Sequence, residues 1–121
     1  MEVRRLGWLG IRTEKFEEMV GFMERALGLR LELRETGRAM FLLPNGDPID
    51  VFDEADERYA HFTTGPVAGF LVDDVPKARE EVASAGAWVG PLQQGQGFEW
   101  VHFRGPDGNL YELQGRVGSE S

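Results

Sequence analysis

Two carboxylates occupy matching places in two stretches of the chain. Asp50 follows a Pro-Asn-Gly-Asp turn at residues 44–47, and Glu112 follows a Gly-Pro-Asp-Gly turn at residues 105–108, each four residues beyond the last glycine of its turn. Both turns lead into an apolar run that is typical of a β-strand. Two acidic side chains directed into one space could bind a cation or exchange protons with a ligand. The spacing therefore predicts two related modules that build one site.

The elements that would position these carboxylates are also repeated. Each half contains an amphipathic helix closed by a glycine, Gly28 or Gly86, so the repeat is about sixty residues long. Thr13 is predicted to cap a first helix that begins at Glu14, and Asp74 is predicted to open the second. Alternation and turn residues predict strands over residues 5–12, 29–35, 39–43 and 49–52 in the first half, and over 67–73, 88–92, 99–104 and 110–114 in the second.

This order of elements predicts an α+β fold of two tandem βαβββ modules. The modules would form curved mixed sheets around a central cleft, with the helices outside. We expect one domain over residues 1–121, in which module one covers 1–53, a linker 54–64, module two 65–115 and a polar tail 116–121. His61 lies in the predicted linker, where a histidine is more often a surface residue than part of a site.

Composition and charge argue against several classes of protein. The chain has no cysteine, so disulfides are impossible and a reducing compartment fits. The net charge of −8 disfavours the basic surface that nucleic-acid binding requires; it could serve solubility alone as an acidic solvated surface, or also favour a cationic ligand. No apolar run has the length of a signal peptide or a membrane span. We expect a cytoplasmic protein that binds neither nucleic acid nor membrane.

Three strings carry a resemblance to a known family. They are the strand region Gly69–Val75, the helix end Ala85-Gly86, and the segment Phe103–Leu113 with its Pro-Asp-Gly-Asn-Leu-Tyr-Glu-Leu sequence. Together they resemble the vicinal oxygen chelate superfamily, which includes glyoxalase I, bleomycin-resistance proteins, extradiol dioxygenases and fosfomycin-resistance enzymes. The similarity covers about the whole chain and is specific for the fold, whereas the same scaffold hosts unrelated chemistries and pure binding proteins.

The resemblance implies where a divalent metal would be bound. The four ligands of metal-dependent members correspond to Trp8, Asp50, Val67 and Glu112 in this chain. Tryptophan and valine cannot coordinate a cation, so two carboxylates remain of four donors. We therefore expect no metal cofactor. The alternative is a divalent metal held by Asp50, His102 and Glu112.

Residues on the predicted cleft face are candidates for binding a ligand. Strand alternation puts Trp8 and Arg12 on one face, and the resemblance implies that this face borders the cleft. Trp8 could fill the cavity or offer a platform to a flat or cationic ligand. Arg12 could pair with a carboxylate at the helix start or bind an anion. The predicted ligand-binding set is Trp8, Arg12, Phe41, Asp50 and Trp100.

His102 is the candidate for acid–base chemistry. The pairing that the resemblance implies across the Pro-Asp-Gly turn puts Trp100 and His102 on the same face as Glu112, with His102 and Glu112 as neighbours. A histidine oriented by a carboxylate can act as a general acid or base. The same pair could instead be a structural contact of a buried histidine. Both interpretations stay open, with His102 and Glu112 as candidate catalytic residues.

The sequence favours a small-molecule-binding protein of the glyoxalase and bleomycin-resistance type that lacks the usual metal site. The resemblance implies a homodimer that sequesters a drug-like ligand, and a cationic or aromatic molecule would suit an acidic, aromatic cleft. One alternative is a metal-dependent lyase, isomerase or dioxygenase. Another is a metal-free enzyme that moves protons with His102 and Glu112. A structural or regulatory domain is a further class, and it predicts a cleft filled by its own side chains.

Overall fold

The chain folds into two compact units with the same order of elements. The computed structural model describes residues 1–63 and 65–118. We call Trp8–Pro66 the N-terminal unit, and Met1–Gly7 together with the chain from Val67 onward the C-terminal unit. The elements are β1 (Arg5–Thr13), α1 (Phe16–Arg25), β2 (Arg30–Glu35), β3 (Arg38–Leu42), β4 (Pro48–Asp53), β5 (Val67–Leu71), α2 (Val75–Ser84), β6 (Gln93–Gly95), β7 (Phe98–Arg104) and β8 (Leu110–Arg116). The predicted α+β class with two βαβββ modules is confirmed.

In the N-terminal unit the strands lie in the order β2-β3-β4-β1, and α1 packs on one face of them. Strands β2, β3 and β4 are antiparallel neighbours, whereas β1 runs parallel to β4. Because side chains alternate between the two faces of a strand, one apolar face meets the buried stripe of α1. The buried members of this core are Phe16, Val20, Met23, Ala39, Phe41 and Val51. Burying one large apolar side chain contributes about 1.5–3 kcal/mol.

Helix α1 begins later than the sequence predicts. The predicted start at Glu14 with Thr13 as its cap is wrong, because the helix begins at Phe16 and Lys15 is its N-cap. Thr13 instead accepts a hydrogen bond from the backbone N–H of Lys15 at 3.0 Å, which stabilises the turn before the helix. At the other end Gly28 has a φ of +67°, so the predicted left-handed stop is present.

The C-terminal unit repeats this arrangement with strands in the order β5-β8-β7-β6. Strand β5 runs parallel to β8, and β8, β7 and β6 are antiparallel neighbours. The Asp74 side chain caps α2 by accepting the backbone N–H of Lys77 at 3.0 Å, as predicted. The buried core on the helix side comprises Val72, Val75, Ala78, Val101 and Leu113.

Strand β6 lies further along the chain than predicted. The sequence predicts a strand over residues 88–92, but in that range only Val89 forms a bridge, to Phe103 of β7. Strand β6 itself covers Gln93–Gly95. Pro91 explains the shift, because proline has no N–H to donate to a ladder.

The two units place their carboxylates in matching strand registers. Asp50 and Glu112 each lie opposite a glycine of the parallel neighbouring strand and opposite one residue of the antiparallel neighbour. These partners are Gly10 and Met40 for Asp50, and Gly69 and His102 for Glu112. The repeat that the turn spacing predicted is therefore present at the level of individual residue pairs.

The segment between the modules is built onto the N-terminal unit. Residues Glu57–Tyr59 form a 3-10 turn, capped by the side chain of Asp56. Residue 64 of the predicted linker and residues 119–121 of the predicted tail lie outside the described residues. Strand β8 continues through Arg116 into the segment predicted as tail. Within the described residues, no helix is long and apolar enough to cross a membrane.

Candidate functional site

Asp50 is held by two donors inside the N-terminal unit. The indole N–H of Trp8 donates to Oδ2 at 2.7 Å, and the Nε–H of Arg38 donates to Oδ1 at 2.9 Å. Asp50 is only 6% exposed, so these partners replace the water that the carboxylate loses on folding. Hydrogen bonds to a charged group contribute about 1.5–3 kcal/mol each. Both oxygens of Asp50 are therefore engaged by the protein itself.

Arg38 is a site residue that sequence reasoning missed. Burial acts to lower the pKa of Arg38, but the charge of Asp50 and the hydrogen bond to it more than offset this effect, and the net pKa is raised. The guanidinium is therefore a fixed cation, which also lies 3.6 Å from Glu35. Strand alternation carries the missing signal, because Arg38 shares a face of β3 with Met40, the residue opposite Asp50.

The Trp8 ring lies across Gly10, the residue opposite Asp50 in β1. A methyl group added at Gly10 would overlap the ring, so the indole can cross the strand here only because glycine has no side chain. The ring also packs near Phe52 and Phe62, with centroid separations of 6.3 and 6.1 Å. Trp8 therefore fills the position that the resemblance gives to a metal ligand, and donates to the carboxylate beside it.

Residues 54–63, which we call the strap, cover the same face of this unit. Tyr59 and Phe62 stack on Phe52 with ring centroids 4.0 and 5.2 Å apart. Arg12 donates to the carbonyl oxygens of Glu54 at 3.0 Å and Phe62 at 3.4 Å. His61, in contrast, is exposed beside Phe62. Arg12 thus binds backbone near both ends of the strap, although its partners are carbonyls rather than the helix-start carboxylate that the sequence suggested.

In the C-terminal unit, His102 and Glu112 lie opposite each other in the β7–β8 hairpin, as predicted. Nε2 of His102 is 3.1 Å from Oε1 of Glu112, and each residue is 7% exposed. Alternation puts Trp100 on the same face of β7, with Gln114 as its partner in β8. A buried imidazole in contact with a carboxylate can be oriented for proton transfer, and the indole and amide can contact a ligand.

Phe41 does not belong to the candidate ligand-binding residues. It is fully buried in the core beside α1 and lies opposite Ile49 of β4. Its neighbour Met40 points to the opposite face, where Asp50 lies, so strand alternation directs Phe41 toward the helix. The ligand-binding prediction for Phe41 is therefore corrected to a core role, the usual one for an alternating aromatic residue.

The donor set does not fit the divalent metal that the resemblance implies. Trp8 and Val67 have no lone pair for a metal, and both oxygens of Asp50 already accept hydrogen bonds from the protein. A guanidinium bound to the carboxylate would also repel a second cation there. Across residues 1–63 and 65–118 no group of three or more His, Asp or Glu side chains is placed to hold a metal.

Comparison with protein families identifies the class to which this fold belongs. The model of the Glyoxalase/Bleomycin resistance protein/Dioxygenase superfamily matches residues 5–113. The chain belongs to this superfamily, so the resemblance read from its strands and turns is confirmed. A search of curated protein sequences finds no match.

Solved structures of low sequence identity share the fold. Methylmalonyl-CoA epimerase from Mycobacterium tuberculosis is 20% identical over 94% of this chain and 89% of its own, with a TM-score of 0.72. A methylmalonyl-CoA epimerase in complex with methylmalonyl-CoA and NH4+ is 19% identical over 99% of both chains, with a TM-score of 0.70. A superfamily member from Vibrio splendidus 12B01 is 13% identical over 88% of this chain and 95% of its own, with a TM-score of 0.67.

Proposed function

We propose that this protein binds a small organic molecule without a resident divalent metal ion. The observation that carries the proposal is the engagement of Asp50, which accepts hydrogen bonds from both Trp8 and Arg38. A metal ion at Asp50 would lie beside the guanidinium of Arg38, whose charge would repel it, and Trp8 would contribute no ligand. In the N-terminal unit, the guanidinium of Arg38 therefore neutralises the carboxylate that would bind the metal in metal-dependent relatives.

The proposed ligand is a cationic or aromatic small molecule, in keeping with a drug-sequestering role. The net charge of −8 favours cations by long-range attraction. Trp100 is partly exposed on the face of β7 that carries His102, and an indole face binds flat rings and cations. Bleomycin-resistance proteins are one branch of the superfamily that the chain belongs to.

Calorimetric titration with metal ions tests the metal-free part of the proposal. We expect no tight, stoichiometric binding of Zn²⁺, Mn²⁺, Ni²⁺ or Fe²⁺ to chelator-treated protein. One tight site that disappears in both Asp50→Asn and Glu112→Gln would contradict the proposal. Glu32→Gln is the matched control, because Glu32 is an exposed carboxylate that pairs with Arg30 on the surface of β2.

A metal-free acid–base enzyme is the second candidate function. The observation that favours it is the 3.1 Å contact between His102 and Glu112, which are both buried. Methylmalonyl-CoA, the ligand in one of the similar structures, is a suitable first probe. Deuterium uptake into this probe from D₂O, lost in His102→Ala while binding is retained, would favour the enzyme. Absence of uptake with binding intact would favour the binding protein.

We also propose that the protein works as a cytoplasmic homodimer, as the resemblance implied. The absence of cysteine fits a reducing compartment. Light scattering coupled to size-exclusion chromatography tests the oligomeric state, and we expect the mass of two chains at micromolar concentration. The mass of one chain across a dilution series would contradict the dimer.

A further inference from the structure

The strap covers the candidate ligand-binding face of one unit with the protein's own side chains. We propose that residues 54–63 fill the face of the N-terminal unit that carries Trp8 and Asp50. The ligand is then bound by the face of the C-terminal unit that carries Trp100, His102 and Glu112. This inference rests on the proposed small-molecule binding and assigns the face that performs it.

The aromatic rings of the strap are packed against the sheet rather than laid loosely over it. Phe62 is 7% exposed and Phe52 beneath it is 4% exposed, and their rings are nearly parallel at an interplanar angle of 6°. Tyr59 stacks on the same Phe52 ring, and burial raises the pKa of its phenol. A ligand that used this face would have to displace both strap rings from Phe52 and expose their apolar surface to water.

Arg12 holds the strap near both of its ends. Its guanidinium donates to Glu54 at the start of the strap and to Phe62 near the end. The Nε of Arg12 is buried and has no hydrogen-bond partner among the described residues. The desolvation of this N–H group destabilises the folded state, which the two bonds to carbonyls offset. Arg12 is therefore a positioning residue for the strap and is not available to bind an anionic ligand.

A second set of contacts holds the middle of the strap. Arg58 donates to the carbonyl of Thr36 at 2.9 Å and to Asp56 at 2.7 Å, and its guanidinium lies over the Tyr59 ring at 5.1 Å. The backbone N–H of Asp53 donates to Gly37 at 3.0 Å beside this contact. The strap is thus tied to the β2–β3 turn as well as to β1.

These contacts set how strongly the strap would oppose a ligand. Suppose that the strap is open in about one molecule in a thousand. A ligand that binds only the open form then has an apparent Kd about a thousandfold higher than its Kd for that form. Trp100 and Gln114 are partly exposed, so solvent reaches part of the face of β7 and β8 on which they lie. A ligand of the N-terminal face therefore has to displace the strap, and this cost favours binding at the face of Trp100.

Labelling the protein with 5-fluorotryptophan tests the assignment, because the chain has three tryptophans. The ¹⁹F resonances are assigned with Trp8→Phe, Trp88→Phe and Trp100→Phe. Benzyltrimethylammonium is the cationic aromatic probe and 2-naphthoate the anionic one. We expect a saturable shift of the Trp100 resonance and none of Trp8. A saturable shift of the Trp8 resonance would overturn the assignment. So would a shift of the Trp88 resonance that is not accompanied by a shift of the Trp100 resonance.

Solvent access to Trp8 tests the strap independently of any ligand. In proteins that retain only Trp8, we expect acrylamide to quench the fluorescence several-fold more strongly after Phe62→Ala or Arg12→Gln. The matched controls Phe22→Ala and Arg30→Gln alter exposed side chains of α1 and β2 and should change nothing. Equal quenching in Phe62→Ala and the starting protein would overturn the strap. Neither probe shifting any tryptophan resonance, together with increased quenching after Phe62→Ala, would contradict the proposed binding function but support the covering of Trp8 by the strap.

Discussion

Arg38 and Asp50 form a charge pair in which the two partners should be unequally costly to remove. The Asp50 side chain is 9% exposed and the Arg38 side chain is 27% exposed. If Arg38 is replaced by Met, the carboxylate stays buried with one donor, Trp8, and no counter-charge. If Asp50 is replaced by Asn, the guanidinium can turn toward water and Glu35. We therefore expect Arg38→Met to be the more destabilising change.

The size of the difference follows from these exposures. Removing one partner of a fully buried ion pair leaves the other charge unpaired, which lowers the free energy of unfolding by about 3–5 kcal/mol. Because Arg38 is partly solvated and the Trp8 bond survives, we expect about 2–3 kcal/mol for Arg38→Met and about 1 kcal/mol for Asp50→Asn. For a domain of this size, the first change should lower Tm by about 8–12 °C. The double variant should cost less than the sum of the two by about 1–2 kcal/mol.

Urea unfolding followed by circular dichroism measures these costs without using a tryptophan near the pair as the probe. Arg30→Met is the matched control, because the Arg30 side chain is 71% exposed, and we expect it to change stability by less than about 0.5 kcal/mol. The reasoning is refuted if Asp50→Asn costs as much as Arg38→Met, or if the two costs simply add.

Three further predictions concern the neighbours of this pair. Trp8→Phe removes one donor to Asp50 and should cost about 1–3 kcal/mol in urea unfolding, whereas Trp88→Phe, at a 57% exposed residue, should be nearly neutral; equal costs would contradict the bond. Gly10→Ala should cost about 1–3 kcal/mol and speed deuterium exchange of the Trp8 indole N–H, because the methyl group displaces the ring; unchanged exchange would argue against this geometry. Burial raises the pKa of Tyr59 above its usual value of about 10, so its contribution to stability is complete below pH 10 and is lost as pH rises through the folded-state pKa. Tyr59→Phe should therefore lessen the loss of stability between pH 9 and 11, and an unchanged alkaline profile would contradict the burial.

The parts of the fold that the sequence predicted are those with local signals. Turn residues and the spacing of Asp50 and Glu112 predicted the repeat, which the strand registers bear out at each carboxylate. The Asp74 cap and the left-handed Gly28 are also local features that one or two residue types specify. The pairing of His102 with Glu112 was implied by the family resemblance across the Pro-Asp-Gly turn, and the register of β7 against β8 agrees with it.

Apart from the shift of β6, which Pro91 explains locally, the errors in prediction depend on contacts between different elements. Thr13 has the residue type of a cap, but the burial of Phe16 in the core accompanies the later helix start. Alternation puts Met40 and Phe41 on opposite faces of β3, but which of these faces meets the helix depends on how β3 pairs with β4. Arg38 became a partner of Asp50 only once β3 and β4 were paired. Local patterns therefore locate the elements, whereas tertiary pairing decides which side chains meet.

The two units show how one repeated backbone can support different chemistry. In each, a carboxylate lies between a glycine and a residue of the antiparallel neighbour, but that residue is Met40 in one unit and His102 in the other. Asp50 is neutralised by an arginine and lies on the face that the strap covers, so its charge stabilises the fold. Glu112 contacts an imidazole instead, a group with one nitrogen on each side of its ring that can take part in hydrogen bonds. Because a shared register specifies position but not partner, the chemistry of each carboxylate follows from the side chains that contact it rather than from the repeat.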